Sequence, residues 1–183
     1  MSELNLTPTS YLVLGLVAGR GPLTSYAMKQ IVAVSIGCFW SFPHSQLYAE
    51  PARLTEHGLL RETQEPTGRR RRSYTITDAG RDALAAWLAE PADDRTEIRD
   101  LGVLKLFFGA LAESADVVQL AGAKQQAHRD TLTQYEKLRA ELEGVATDAE
   151  LATLELGMRW ERLASDFWGE IRQDPPIAGS GPP

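Results

Sequence analysis

The densest cluster of charge in the chain is a run of four adjacent arginines: Arg69, Arg70, Arg71 and Arg72. This arginine wing follows the turn signal at residues 66–68 and lies between two short segments that can extend as strands. Four neighbouring cations on a hairpin tip repel one another and contribute little to folding, so they indicate an anionic partner outside the chain. Such a tip would contact phosphates or a minor groove of nucleic acid. A solvated charge run and a targeting patch are the alternatives.

A second set of polar side chains lies on, or just before, the helix predicted to precede this hairpin. Hydroxyl and amide groups there can hydrogen-bond phosphates or base edges, and an arginine can pair with guanine. The alternative is that about half of them only cap or solvate the helix. The candidates are Ser41, His44, Ser45, Gln46, Tyr48 and Arg53. Glu50 and Glu56 would repel phosphates, so we expect both to point away from DNA.

The spacing of apolar and turn residues predicts the elements that position these groups. A helix over residues 44–57 ends at Gly58, which is well placed as a left-handed C-cap. Pro51 lies inside this helix and should kink or tighten it, because proline lacks an amide donor. Strands are predicted at 59–63 and 73–77. A short helix followed by a hairpin with a basic tip is typical of a winged helix-turn-helix, and therefore of DNA binding.

Further helices are predicted on both sides of this stretch. Two helices, opening at Thr7-Pro8 and near Ser25, should complete the core, and a fourth is capped by Thr77 or Asp78. An acidic stretch with a proline at 90–94 marks the domain boundary. Helices follow at 97–111, 114–143 and 148–172, the first of them apolar on most sides and so largely buried. The fold class is mainly α with a small β-hairpin wing: a winged helix-turn-helix domain (1–92), a helical dimerisation domain (93–173) and a disordered tail (174–183).

The last predicted helix is apolar on two faces, and one small domain has little use for both. A second copy of the chain would cover the other face, so we predict a homodimer. The two stripes supply the predicted dimerisation residues Leu151, Leu154, Met158, Trp160, Leu163, Phe167 and Ile171.

Charge is divided unevenly along the chain, whose net charge is −6. Residues 1–90 hold nine Lys/Arg and eight Asp/Glu, a net of +1, and residues 91–183 hold ten and seventeen, a net of −7. The acidity therefore belongs to the second half, which is compatible with DNA binding by the first half.

Other classes of protein find little support in the sequence. A single cysteine and three scattered histidines exclude a disulfide framework and show no metal-ligand spacing, so we expect no metal and no cofactor. No glycine loop after a strand and no catalytic Ser/His/Asp or Cys/His arrangement can be placed, so we do not expect an enzyme. The chain shows neither a signal peptide nor an apolar run long enough to span a bilayer, which predicts a cytoplasmic protein without membrane contact.

Several motifs occur in order across the first ninety residues: Ser25-Tyr26, Gln46-Leu47-Tyr48, Arg53-Leu54, Gly58-Leu59-Leu60, Gly68-Arg69-Arg70 and the run from Tyr74 to Gly80. They resemble the PadR family of bacterial transcriptional regulators. One departure is that the family usually places proline right after the tyrosine, whereas Ala49 follows Tyr48 here. The second half, with RDLGVLKLFFG at 99–109, is similar to the dimerisation domain of longer PadR members, which is related to a virulence-activator C-terminal domain.

The resemblance implies a homodimeric regulator, expected to be a repressor because that role is commoner in the family. Its helix at 44–57 would enter the major groove of double-stranded DNA. Twofold symmetry would give a pseudo-palindromic operator with half-sites about one helical turn, roughly 10 bp, or a multiple apart. The rival hypothesis is a ligand- or protein-binding module that uses the winged helix as an interaction surface without sequence-specific DNA binding.

Related regulators respond to phenolic acids or drugs, so the resemblance also implies a possible small aromatic effector. Aromatic side chains that could line its pocket are Phe39, Trp40, Phe107, Phe108 and Trp168. Ordinary core and dimer packing is the favoured alternative for these residues.

Overall fold

The computed structural model describes residues 5–33, 36, 44–66, 70–92 and 96–176. The chain forms two compact units, Met1–Asp94 and Arg95–Pro183. The predicted fold class is confirmed: the chain is mainly helical, with a two-stranded antiparallel hairpin in the first unit and a helical second unit. Residues 177–183 of the predicted tail lie outside the described residues.

The first unit contains α1 (Pro8–Arg20), α2 (Ser25–Ala33), α3 (His44–Glu56), β1 (Leu60–Gln64), β2 (Arg72–Ile76) and α4 (Asp78–Ala89). α1 begins with a capping box, because the Thr7 hydroxyl accepts from the Ser10 amide and the Ser10 hydroxyl accepts from the Thr7 amide. Apolar residues from every element except α4 make the buried core: Val13, Leu14, Val17, Met28, Val32, Leu47, Leu54, Leu59, Leu60 and Tyr74. α4 packs on this core through Ala83 and Leu84, and its Trp87 stacks on Tyr11.

α3 runs unbroken through Pro51, and its inner face is formed by Leu47, Pro51 and Leu54, which are all buried. The predicted C-cap is confirmed, since Gly58 has a φ of 75°. The amides of Gly58 and Leu59 return to the carbonyls of Thr55 and Leu54 at 3.0 and 2.9 Å. This Schellman motif satisfies the helix end and turns the chain directly into β1.

The hairpin pairs Leu60 with Ile76 and Gln64 with Arg72. Each strand lies one residue from its predicted bounds, so Arg72 belongs to β2 and not to the loop. Leu23 and Tyr74 exchange two backbone hydrogen bonds of 3.1 and 2.9 Å. This bridge fastens the hairpin to the segment before α2, which holds the wing against the helical core.

The second unit contains α5 (Leu101–Phe107), a 3-10 turn (Gly109–Leu111), α6 (Ser114–Leu142) and α7 (Asp148–Gln173). α6 and α7 are antiparallel, since Gln125 reaches the carbonyl of Ser165 at 3.5 Å while His128, further along α6, lies 2.6 Å from Glu161, nearer the start of α7. The two helices approach closely where buried Gly169 faces Gln125. Val117, Ala121, Leu154, Met158 and Trp168 are the buried apolar residues of this unit.

The helix predicted at 97–111 is wrong in extent and in burial. Asp100 stops it from starting earlier, because its carboxylate caps α5 by accepting from the amides of Gly102 and Val103 at 2.6 and 3.4 Å. The Asp100 carboxylate also binds Lys124 at 2.6 Å, which ties α5 to α6. Most apolar side chains of the segment are exposed within one chain, Phe107 at 80 %, and Leu106 is half-buried. Apolar composition on most sides here therefore does not mean burial in the protomer.

Candidate nucleic-acid interface

The outer face of α3 presents three of the predicted contact residues. Ser45, Gln46 and Tyr48 are exposed, Tyr48 at 49 %, because the opposite face of the helix is buried in the core. Gln46 is oriented by α1: its Oε1 accepts a hydrogen bond from Thr9 Oγ1 at 2.9 Å. A hydroxyl, a carboxamide and a phenol on one exposed helix face can serve base edges and phosphates.

The described part of the arginine wing is exposed and braced by the hairpin. Arg70 has a left-handed φ of 46°, and its carbonyl accepts from Gln64 Nε2 at 3.2 Å. The Glu65 amide donates to the Arg71 carbonyl at 3.0 Å, which extends the pairing towards the tip. The Arg72 guanidinium lies 3.4 Å from Glu62, so part of its charge is already compensated. Arg70 and Arg71 are therefore the stronger candidates for phosphate contacts among these three.

Some of the residues predicted to contact DNA or an effector are not among those that the structure describes. Ser41, Arg69, Phe39 and Trp40 lie outside the described residues, as does the side chain of His44. They stay predictions.

Arg53 is turned towards α1, although its side chain remains 33 % exposed. Its guanidinium forms a bidentate ion pair with Glu50, with Nη2–Oε1 at 2.6 Å and Nε–Oε2 at 3.0 Å. Nη2 also donates to Ser10 Oγ at 3.1 Å and to the Asn5 carbonyl at 3.3 Å. The prediction that Glu50 points away from the outer face agrees with this geometry, since its side chain is only 12 % exposed and turned towards α1.

The ion pair keeps Glu50 charged. Burial opposes ionisation, but the hydrogen bonds from Arg53 and Ser10 outweigh it and lower the pKa of Glu50 below its ordinary value of 4.5. The hydrogen bond to Glu50 raises the pKa of Arg53 in turn. Because the folded pKa of Glu50 is depressed, its stabilising contribution is complete above pH 4.5 and is lost as pH falls through the folded pKa.

Sequence reasoning gave no role to Ser10 and grouped Arg53 with the DNA contacts. Local signals for both were present, because Thr7 and Ser10 have the spacing of a capping box and Glu50 and Arg53 are neighbours at i and i+3. The contact between α1 and α3 that joins them is tertiary, and no local pattern encodes it.

The predicted dimerisation residues divide between two faces of α7. Leu154 and Met158 are buried within one chain, so they belong to the interior of the second unit and are unavailable to a second copy. Leu151 and Ile171 are half-buried. The other predicted residues, Trp160, Leu163 and Phe167, are exposed together with Leu156 on the opposite face.

The aromatic residues proposed for an effector pocket do not form one in the described chain. Trp168 is 1 % exposed and packs at the edge of Phe167, which favours core packing for this residue. Phe107 and Phe108 are exposed and contact each other edge to face at 5.0 Å. An open cavity of about 380 Å³ in the second unit has a mixed lining without aromatic residues: Arg99, Asp100, Leu101, Gly102, Lys105, Leu120 and Lys124.

Within the described ranges, no three or more His, Cys, Asp or Glu residues lie together in a group that could hold a metal ion. The same residues include no helix that is long and apolar enough to cross a membrane.

Known protein families match both halves of the chain. The model of the transcriptional regulator PadR-like family matches residues 13–86, and that of the virulence activator alpha C-term matches residues 98–173. The negative transcriptional regulator PadR of Bacillus subtilis (strain 168) is 33 % identical over 139 residues, which are 73 % of this chain and 76 % of that protein.

Solved structures share the fold. The crystal structure of Bacillus subtilis PadR in complex with operator DNA matches with a TM-score of 0.80 at 23 % identity, over 90 % of this chain and 96 % of that chain. The structure of the same regulator in complex with p-coumaric acid matches with a TM-score of 0.75 at 22 % identity, over 92 % and 97 %. The chain therefore belongs to the PadR family of DNA-binding transcriptional regulators, which are not enzymes, as the sequence predicted.

Proposed function

We propose that the protein is a homodimeric repressor that binds a pseudo-palindromic operator through α3 and the arginine wing. The observation that carries the proposal is the combination, in one unit, of an exposed polar helix face and a braced cationic hairpin. Repression is the favoured direction because the Bacillus subtilis relative is described as a negative transcriptional regulator.

In this proposal α3 enters the major groove and reads bases through Ser45, Gln46 and Tyr48. Gln46 has a carboxamide that can pair with adenine, and the bond from Thr9 to its oxygen fixes which way that group is turned. Arg70 and Arg71 contact phosphates or the minor groove beside the helix and set the register of the protein on the duplex. The second unit carries most of the net negative charge of the chain, which disfavours its own contact with phosphates.

The exposed apolar face of α7 supports the dimer. Leu156, Trp160, Leu163 and Phe167 recur at spacings of four, three and four, the pattern of a helix face that packs against another helix. A second copy of α7 would bury this face, and the exposed apolar side chains of α5 would add area to the same assembly. A dimer then presents two α3 helices to two half-sites.

Leu163→Glu should convert the dimer to a monomer. Leu163 is 64 % exposed in one chain, so the change leaves the protomer intact but places an unpaired charge in the proposed interface. Burying such charges should weaken association by about a hundredfold or more. Light scattering at micromolar concentration would report a mass near 20.1 kDa in place of twice that value. The control is Val145→Glu, which changes an exposed apolar residue in the α6–α7 loop and should leave the protein dimeric. A monomeric wild type would contradict the proposal.

Footprinting on the DNA upstream of the protein's own gene tests operator binding. We expect two protected half-sites with centres about one helical turn, roughly 10 bp, or a multiple apart. Uniform weak protection of all sequences would favour the rival binding module instead.

An aromatic effector is proposed on the support of the relative that was crystallised with p-coumaric acid. Repeating the footprint with small aromatic acids tests this: release of the operator at ligand concentrations that do not unfold the protein is the expected result. Of the five suggested pocket residues, Phe107 and Phe108 remain available for such contacts within the described chain.

A further inference from the structure

The buried hydroxyl of Ser10 joins the first helix of the protein to the recognition helix α3. Ser10 is 0 % exposed, yet its Oγ accepts from the Thr7 amide at 2.8 Å and donates to Glu50 Oε1 at 2.6 Å. It also accepts from Arg53 Nη2 at 3.1 Å. One donated and two accepted bonds use the full capacity of a hydroxyl, and Thr7 Oγ1 lies 3.2 Å from the same oxygen. A residue so placed cannot touch DNA, but everything it holds belongs to α3 or to the cap of α1.

The ion pair on α3 lies on both sides of Pro51. Proline supplies no amide to the helix, so the carbonyl of Leu47 lacks its usual donor at this turn. Glu50 precedes the proline and Arg53 follows it, and both bind the same Ser10 oxygen. One turn earlier, Gln46 is tied to Thr9. α3 is thus fastened to α1 at two neighbouring turns, beside the proline that removes one of its own hydrogen bonds.

Nε and Nη2 of Arg53 already have partners within the first unit. Its fork is engaged bidentately by Glu50, and Nη2 also reaches the Asn5 carbonyl. Turning the guanidinium towards DNA would leave the carboxylate of Glu50 largely buried without its partner, which is unfavourable.

We propose that Arg53 is a positioning residue, and that Ser10, Glu50 and Arg53 form a latch that sets the position of α3 for operator binding. The inference rests on the proposed function, since it concerns the helix assigned to the major groove. It differs from the sequence-based prediction that Arg53 contacts DNA. Alignment of a reading helix matters because its side chains must meet base edges within hydrogen-bond distance.

Two measurements distinguish the latch from a direct contact: the salt slope for Arg53 and the direction of the affinity change for Glu50. A phosphate contact by Arg53 would contribute about 0.9 units to the salt slope of binding, whereas a positioning residue contributes none. Glu50, as a mere neighbour of DNA, would repel phosphates, so neutralising it would strengthen binding. As part of the latch, the same neutralisation should weaken binding because Arg53 loses its charged partner.

The experiment is a salt titration of operator binding by the full-length wild type and by Ser10→Ala, Glu50→Gln and Arg53→Gln. We expect each variant to lose affinity by roughly tenfold at unchanged salt slope. The Ser10→Ala/Arg53→Gln double variant should lose clearly less than the product of the two single losses, because both changes open one network. Arg70→Gln serves as the contact reference, with a reduced slope.

The outcomes are distinct. A slope reduced by about 1.8 units in Arg53→Gln (one lost contact in each protomer of the dimer), tighter binding by Glu50→Gln, or wild-type affinity in Ser10→Ala would each overturn the latch. A wild type that shows no selective operator binding would instead overturn the proposed function itself. Urea unfolding of each variant verifies that it is folded, and Ser10→Ala, which removes one oxygen atom, carries the test if Arg53→Gln does not fold.

Discussion

Replacing Arg70 and Arg71 with glutamine should reduce the salt slope of operator binding by about 1.8 units per wing, because each lost phosphate contact removes about 0.9 units. Both side chains are exposed, and their backbone is held by Gln64 and Glu65. The change therefore removes charge without removing the bonds that shape the loop. A dimer would lose four contacts. When the salt concentration rises from about 50 to 200 mM, both proteins should lose affinity. The factor lost by the variant dimer should be roughly a hundred times smaller than the factor lost by the wild type.

Two controls make this result specific. Arg129→Gln/Lys137→Gln removes the same charge from exposed positions of α6 in the acidic second unit, and the salt slope should stay unchanged. Arg72→Gln should lower the slope by less than Arg70→Gln, because Glu62 already compensates part of the charge of Arg72. Binding measured by fluorescence anisotropy at four or more salt concentrations gives the slopes. An unchanged slope in the double wing variant would remove the wing from the interface.

The wing and the end of α3 could be predicted from sequence because their signals are local. Gly58 is followed by Leu59 and Leu60, and only a left-handed residue lets both amides return to the helix end, so glycine marks the turn. Period-two alternation placed Tyr74 and Ile76 on one face, and Tyr74 is buried. Such features depend on neighbours a few residues away.

The role of Arg53 could not be predicted, because it depends on residues about forty positions earlier in the chain. An arginine on a recognition helix is a reasonable base contact by type, and only the fold shows that Glu50 and Ser10 already bind it. The same limit applies to α5: apolar composition predicts that a surface is covered, but not whether its own chain or a second copy covers it. The sequence predicts that the apolar surface of α5 is buried, but not against which chain.

Gly80→Ala should destabilise the first unit by about 3 kcal/mol or more, although helix propensity alone predicts stabilisation by about 1 kcal/mol. Gly80 lies in the first turn of α4 and is buried, and its amide donates to Thr77 Oγ1 at 3.1 Å. A Cβ there would overlap the carbonyl oxygen of Leu59 and lie 2.9 Å from Ile76 Cγ1. Glycine is therefore required by close approach of the backbone, not by its φ angle.

The Leu59 carbonyl cannot easily move to make room, because the Thr77 amide donates to it at 3.1 Å. The Thr77 hydroxyl shares its one proton between this carbonyl, at 3.0 Å, and that of Gly58, at 2.7 Å. The steric cost should therefore exceed the gain in helix propensity. Gly15→Ala is the matched control: it also lies within a helix, but nothing is within 4 Å of its added Cβ, so it should stabilise by up to about 1 kcal/mol. Urea unfolding followed by circular dichroism measures both changes. Equal, stabilising effects at the two positions would show that the junction of β1 and α4 yields more readily than its hydrogen bonds imply.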